Sequence, residues 1–152
     1  MDIFLIILIG SLFGSFANVC IYRLPLEKSV IGGRSYCPKC KKEIAWYDNI
    51  PIFSYLIIGG KCRKCKNTIS PKYLIVELVN AISFLIIFLI FGISITSTLL
   101  MILALIFLII FFIDLKHYII PNVLTFPLMV LGFIKSFGPN LNSIFPNYIN
   151  SL

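Results

Sequence analysis

The chain has 152 residues, 59% hydrophobic and 12% charged, with 14 phenylalanines and a mean hydropathy of +1.01. Soluble domains run at about 45–50% apolar and about 25% charged residues, so this composition excludes an ordinary water-soluble fold and a disordered chain, and it points to a membrane protein. A net charge of +7 would suit a nucleic-acid binder if it were spread over a surface, but eleven of the thirteen Lys and Arg fall in residues 23–72, against three acids there (Glu27, Glu43, Asp48).

The first element is the uncharged run 3–22, twenty residues, which is about what an α-helix needs to cross a hydrocarbon core of roughly 30 Å. Residues 1–22 therefore read as the first transmembrane helix. A signal peptide fits less well, because Asp2 precedes the run and the positive charge follows it. Gly10, Ser11, Gly14 and Ser15 make a small-residue stripe on one helical face, the pattern of a face that another membrane helix approaches closely. Cys20, inside the same run, reads as a small apolar packing residue.

Residues 23–72 form a basic segment holding two C-x-x-C pairs, Cys37–Cys40 and Cys62–Cys65, with 21 residues between them. Each pair can present two thiolates on a tight turn, and two such turns close a tetrahedral four-sulfur site, so the spacing predicts a structural zinc ribbon. Lys39, Lys41, Lys42, Lys61, Arg63, Lys64 and Lys66 surround the pairs and favour thiolates. Two disulfides are the alternative. They require an oxidising compartment, whereas short loops rich in Lys and Arg stay cytoplasmic. The basic face suits anionic lipid headgroups, and no nucleic acid is expected because few aromatics (Tyr36, Trp46, Tyr47) interleave with the charges.

Residues 73–137 hold the remaining membrane helices. A second span covers residues 73–95 with Glu77 near its start, and a polar turn follows at Ser94, Thr96, Ser97 and Thr98. The third span, 99–113, ends at Asp114-Leu115-Lys116-His117, and a fourth over 118–134 contains Pro121 and Pro127. Proline is tolerated in a membrane helix whose neighbours satisfy the freed carbonyls. Residues 138–152 read as a polar tail, and no internal repeat is visible. The fold class expected is an all-α, polytopic membrane protein of about four transmembrane helices with a cytoplasmic zinc-ribbon-like insert between the first two. The positive-inside rule puts the N-terminus outside and brings Asp114 to the cytoplasmic face.

Ionisable residues in membrane helices are costly and mark functional candidates, here Glu77 and Asp114. Spacing alone also allows Asp114 to be a simple interfacial residue. His117, the sole histidine, lies near no nucleophile pattern and reads as interfacial, as does Tyr118.

Several motifs taken together resemble the type IV prepilin peptidases, bifunctional leader peptidase/N-methyltransferases of the aspartic membrane-protease class. They are Gly14-Ser15-Phe16-Ala17-Asn18-Val19, Arg23-Leu24-Pro25, the two C-x-x-C pairs, Asp48-Asn49-Ile50-Pro51, Ser54-Tyr55-Leu56, Ile69-Ser70, Tyr73, Val76-Glu77-Leu78, and Asp114 ahead of Ile120-Pro121 and Leu124-Thr125. The resemblance implies an inner-membrane enzyme that cleaves the leader of prepilin or pseudopilin substrates at the cytoplasmic face. It also implies methylation of the new N-terminus, with S-adenosylmethionine as cofactor.

Asp114 matches the first of the family's two catalytic aspartates, which share a proton as in other aspartic proteases. Two departures stand out: Asn122 follows Ile120-Pro121 where the family has Asp, and the second aspartate's Gly-x-Gly-Asp-x-Lys motif has no counterpart. The resemblance thus leads one to expect a truncation at the polar tail, with roughly the C-terminal third missing. The alternative is a non-catalytic zinc-ribbon membrane module, or an inactive copy, that binds partners or lipid.

Overall fold

Five α-helices carry the chain in a computed structural model that describes residues 2–32, 35–37 and 39–137. They are α1 (Asp2–Arg23), α2 (Phe53–Ile57), α3 (Lys72–Phe91), α4 (Ile95–His117) and α5 (Asn122–Phe137). Among the described residues there is no extended strand, only two isolated bridges in the segment between α1 and α3. The expected polar tail, 138–152, lies outside the described residues.

Among the described residues three helices are long and apolar enough to cross a membrane: α1, α3 and α4. At 1.5 Å rise per residue they measure roughly 30–35 Å, matching a hydrocarbon core of about 30 Å. The fourth expected span is α5, which starts only after Pro121 and has 16 residues, roughly 24 Å. Its start is displaced from 118 because Tyr118 takes a left-handed conformation that caps α4, its N–H returning to the Asp114 carbonyl at 2.9 Å.

The turn expected at 94–98 is shorter than its composition suggests. Ser94 caps α4: its side chain accepts the Ser97 N–H, and the Ser97 hydroxyl accepts the Ser94 N–H. This reciprocal box satisfies two amides that would otherwise face hydrocarbon. Thr96, Ser97 and Thr98 are therefore the first turn of the helix rather than loop.

The small-residue stripe does what its pattern foretells. α1 and α3 run antiparallel in a fixed register, Asn18 meeting Tyr73, Gly14 meeting Glu77 and Gly10 meeting Ala81. A β-carbon at Gly14 would come within 2.7 Å of the Glu77 Cα, and one at Gly10 within 2.8 Å of the Ala81 Cα. Only glycine permits that approach, which supplies the packing that drives association where no water is expelled.

Asn80, almost fully buried, ties the seam by donating through Nδ2 to the Gly10 carbonyl at 2.7 Å. α4 closes the bundle, its Leu105, Ile109 and Ile113 packing with Ala17, Cys20, Val76 and Phe84 in one core. Cys20 is thus a packing residue. From α5, Leu124 touches this core.

Candidate metal centre and membrane-face acids

Between α1 and α3 the chain builds two superposable knuckles. In the first, the Cys37 N–H donates to the Lys42 carbonyl at 3.0 Å, and the Lys41 N–H to the Cys37 carbonyl at 2.9 Å. The second repeats this 25 residues later: Cys62 to Asn67 at 2.8 Å, and Lys66 to Cys62 at 2.8 Å. Lys41 and Lys66 both adopt positive φ (56° and 58°), so that each knuckle turns back on itself. Flanking bonds from Ile44 to Ser35 and from Ile69 to Gly60 match as well. A ten-residue repeat is therefore present where none was visible. The signal for it was the alignment of residues 35–44 with 60–69, which share both cysteines, two lysines and the closing isoleucine.

The knuckles bring all four sulfurs together. The Sγ atoms of Cys37, Cys40, Cys62 and Cys65 lie within 4.8 Å of one another, with Cys37 and Cys65 at 3.8 Å. All four are free thiols, and that separation is far beyond the roughly 2.05 Å of a disulfide bond. A tetrahedron with metal–sulfur bonds of about 2.3 Å has sulfur–sulfur edges of about 3.8 Å, so the four cysteines can hold a metal ion.

Their electrostatics fit the same purpose. Backbone N–H donors lower the Cys37, Cys62 and Cys65 thiols: those of Cys40 and Lys39 act on Cys37, those of Cys65 and Lys64 on Cys62, and that of Asn67 on Cys65. At Cys40 the Lys42 N–H pulls the same way, but desolvation and the crowding sulfurs of Cys37 and Cys65 outweigh it and push the thiol up to about 11. Four sulfurs cannot all ionise side by side without a cation among them.

The loop joining the knuckles is pinned to the second of them. Arg63, inside the second C-x-x-C, grips Asp48 through Nη2 at 2.7 Å and through Nε at 3.0 Å, and its guanidinium lies 5.6 Å from the Tyr47 ring centre. The Tyr55 hydroxyl donates to the Ile69 carbonyl at 3.2 Å and lies where a side chain on Gly60 would sit. At the exit of α1, Arg23 donates to the carbonyls of Ser29 and Gly32 at 3.0 and 2.6 Å, folding the chain back.

The two acids singled out by sequence occupy different settings. Glu77 is buried in α3, where its Oε2 accepts the Ile52 backbone N–H at 2.8 Å. Asp114 stands exposed in the last turn of α4, next to fully buried Ile113. Because α3 and α4 form a hairpin through residues 92–94, Asp114 returns to the end of the bundle that carries the knuckles, with about 7–8 Å more helix between it and the hairpin than Glu77 has. His117 is the final residue of α4, and Tyr118 is exposed beside it. Sequence reasoning passed over Asn80, whose signal was a lone amide within an apolar span.

Comparison with known proteins agrees with this arrangement. Residues 8–91 match the bacterial peptidase A24 N-terminal domain, and residues 101–150 match the type IV leader peptidase family. A prepilin leader peptidase/N-methyltransferase of Vibrio cholerae is 42% identical over 138 residues, covering 84% of this chain and 53% of that protein. The Myxococcus xanthus protein of the same name is 38% identical over 135 residues, covering 89% of this chain and 40% of its own length. A third, from Klebsiella pneumoniae, is 36% identical over 139 residues, with 82% and 58% covered. The chain spans about half the length of these curated relatives. No solved structure matches it. With its N-terminal domain matched across both knuckles and the first three helices, this chain belongs to the type IV leader peptidase family.

Proposed function

We propose that this chain supplies the ribbon-bearing part of a membrane aspartic endopeptidase that removes the leader of prepilin-like substrates and N-methylates the new N-terminus. The observation that carries the reading is Asp114, an exposed carboxylate on the last turn of a membrane helix, at the same end of the bundle as the basic ribbon. An acid there meets a peptide bond at the membrane surface without having to draw the substrate into the bilayer. In this reading Asp114 is one of two carboxyls that share a proton. The charged one activates water, and the neutral one protonates the scissile carbonyl.

Zinc fits the four-cysteine cluster as a structural ion. With all four positions taken by sulfur it leaves no site for a reacting water, and its role is to fix the ribbon's shape. S-adenosylmethionine is the methyl donor this reading requires. The clustering of Lys and Arg in 23–72 supports a cytoplasmic ribbon, an outside N-terminus and an inner-membrane location.

The test joins this chain to the C-terminal portion of the Vibrio cholerae relative that lies beyond the match, and follows the shortening of a prepilin in membranes. Leader removal by the joined protein, lost in Asp114→Asn, is the expected result. Cleavage that survives Asp114→Asn overturns the assignment. A second reading is a module that binds prepilins without cutting them. It gains ground if this chain alone retains a prepilin and leaves its leader intact.

A further inference from the structure

The segment between the knuckles holds one short α-helix, α2, and its apolar side chains point the wrong way for a water-soluble ribbon. Phe53, Leu56 and Ile57 are 54%, 64% and 77% exposed. Their i, i+3, i+4 spacing places them on one face. Beside that face is a hollow lined by Ile57, Ile58, Lys61, Arg63 and Lys66. Arg63 is engaged by Asp48, whereas among the described residues Lys61 and Lys66 enter no ion pair.

The depth of this edge follows from one contact. The Ile52 N–H, immediately before α2, bonds Glu77, which lies five residues inside a helix that crosses the membrane. Five residues are about 7–8 Å of helix, and α3, about 30 Å long, has no length to spare beyond a hydrocarbon core of about 30 Å, so Glu77 lies within the bilayer rather than above it. The start of α2 is thereby held at the membrane interface and not above it.

We propose that the edge formed by α2 and the second knuckle is a docking surface for anionic phospholipid headgroups. Phe53, Leu56 and Ile57 rest against the upper acyl chains, and Lys61 and Lys66 meet the lipid phosphates. Apolar side chains at headgroup depth flanked by lysines are the composition of interfacial elements, and positive charge selects anionic over zwitterionic lipid. This proposal is independent of the peptidase reading, since it requires only that α1 and α3 cross a bilayer.

The test uses the full chain, released from bilayer discs of mixed phosphatidylglycerol and phosphatidylcholine and weighed with its retained lipids by native mass spectrometry. Wild-type protein is expected to retain phosphatidylglycerol preferentially. The Lys61→Gln/Lys66→Asn variant should lose most of that preference, roughly tenfold. Asparagine is chosen at 66 because it accepts the left-handed conformation found there. Metal content in the same spectra reports whether the knuckles remain intact. If the lysine variant sheds its metal, Leu56→Ser/Ile57→Ser decides, with reduced lipid retention expected.

Equal enrichment in wild type and in a metal-bearing lysine variant overturns the proposal, as does unchanged retention in the α2 variant. Displacement of the lipid by millimolar inorganic phosphate also overturns it, by marking a soluble-anion site. Displacement by an acidic peptide that binds Lys61 and Lys66 in preference to lipid would assign the edge to a protein partner instead.

Discussion

The Glu77 carboxylate accepts the backbone N–H of Ile52, the central residue of a three-residue turn in which the Phe53 N–H bonds the Pro51 carbonyl at 2.6 Å. Ile52 has φ 63° and ψ −57°, a costly conformation for a β-branched residue, of the order of 1–3 kcal/mol. A buried acid in α3 thus stabilises the one strained turn from which α2 departs, and it couples the ribbon to the membrane bundle.

That coupling makes the two neutral substitutions of Glu77 unequal. Glu77→Gln keeps an oxygen acceptor for the Ile52 N–H and should leave the turn intact. Glu77→Ala leaves that N–H without its acceptor, with an expected cost of about 1–3 kcal/mol. Hydrogen exchange at Ile52 through Ile57 is the measurement: protection kept in Gln and lost in Ala is the expected pattern. Equal protection in both variants would show that the turn holds without Glu77.

The parts of this architecture that repeat or run long were legible in the sequence. Twenty uncharged residues can hardly be anything but a membrane helix, and two C-x-x-C pairs foretold a cluster of four sulfurs. The glycine stripe foretold close packing because no other residue fits there. The partner of that stripe was not legible, since the register of α1 on α3 is a property of two surfaces together.

Glu77 was visible as an anomaly but not as an anchor. Its partner is a backbone amide 25 residues away, and amides leave no mark in composition. Ser94 hid the start of α4 for a related reason, because serines that read as loop become helical once they cap each other. Asp114 was singled out by its resemblance to a family motif. Its spacing alone left it looking like an ordinary interfacial residue.

The Gly14 contact gives a steric prediction. Gly14→Ala sets a methyl 2.7 Å from the Glu77 backbone, and backbone cannot move aside as a flexible side chain would. The α1–α3 pair is expected to separate, at a cost of about 1–3 kcal/mol. Phe16→Leu, on the exposed face of the same helix, is the control and should change little. Thermal unfolding in detergent compares the two. Equal stability of the Gly14 and Phe16 variants would remove the close approach from the account.

Asn80 makes a second, polar prediction at the same seam. Its Nδ2 bonds the Gly10 carbonyl, while its Oδ1 is buried with no hydrogen-bond partner among the described residues. Interhelical hydrogen bonds within membranes average only about 0.6 kcal/mol, with a maximum near 1.7, and the unmet Oδ1 offsets part of that. Asn80→Ala is therefore expected to destabilise by about 1 kcal/mol or less beyond its packing loss. A double-mutant comparison with Gly10→Ala should be non-additive, since both changes act on one contact. Additive losses would mean that the two residues do not act together.

The four sulfurs make the sharpest prediction. Purified chain should carry one metal ion, with zinc the expected element, and Cys37→Ser or Cys62→Ser should lose it. Cys20→Ser should keep it, since Cys20 lies in the helical core away from the cluster. Metal binding expels protons from any thiol still holding one. Cys40, at about 11, holds its proton throughout the neutral range until a cation displaces it. Affinity must therefore fall as pH falls, because protons compete for the same sulfurs, and it must rise as pH rises. Titration with a competing chelator at several pH values, with thiol counting after release, measures both effects. A metal content that is unchanged in Cys37→Ser, or an affinity that is flat across pH, would place the ion elsewhere and leave the knuckles as turns held by their backbone bonds alone.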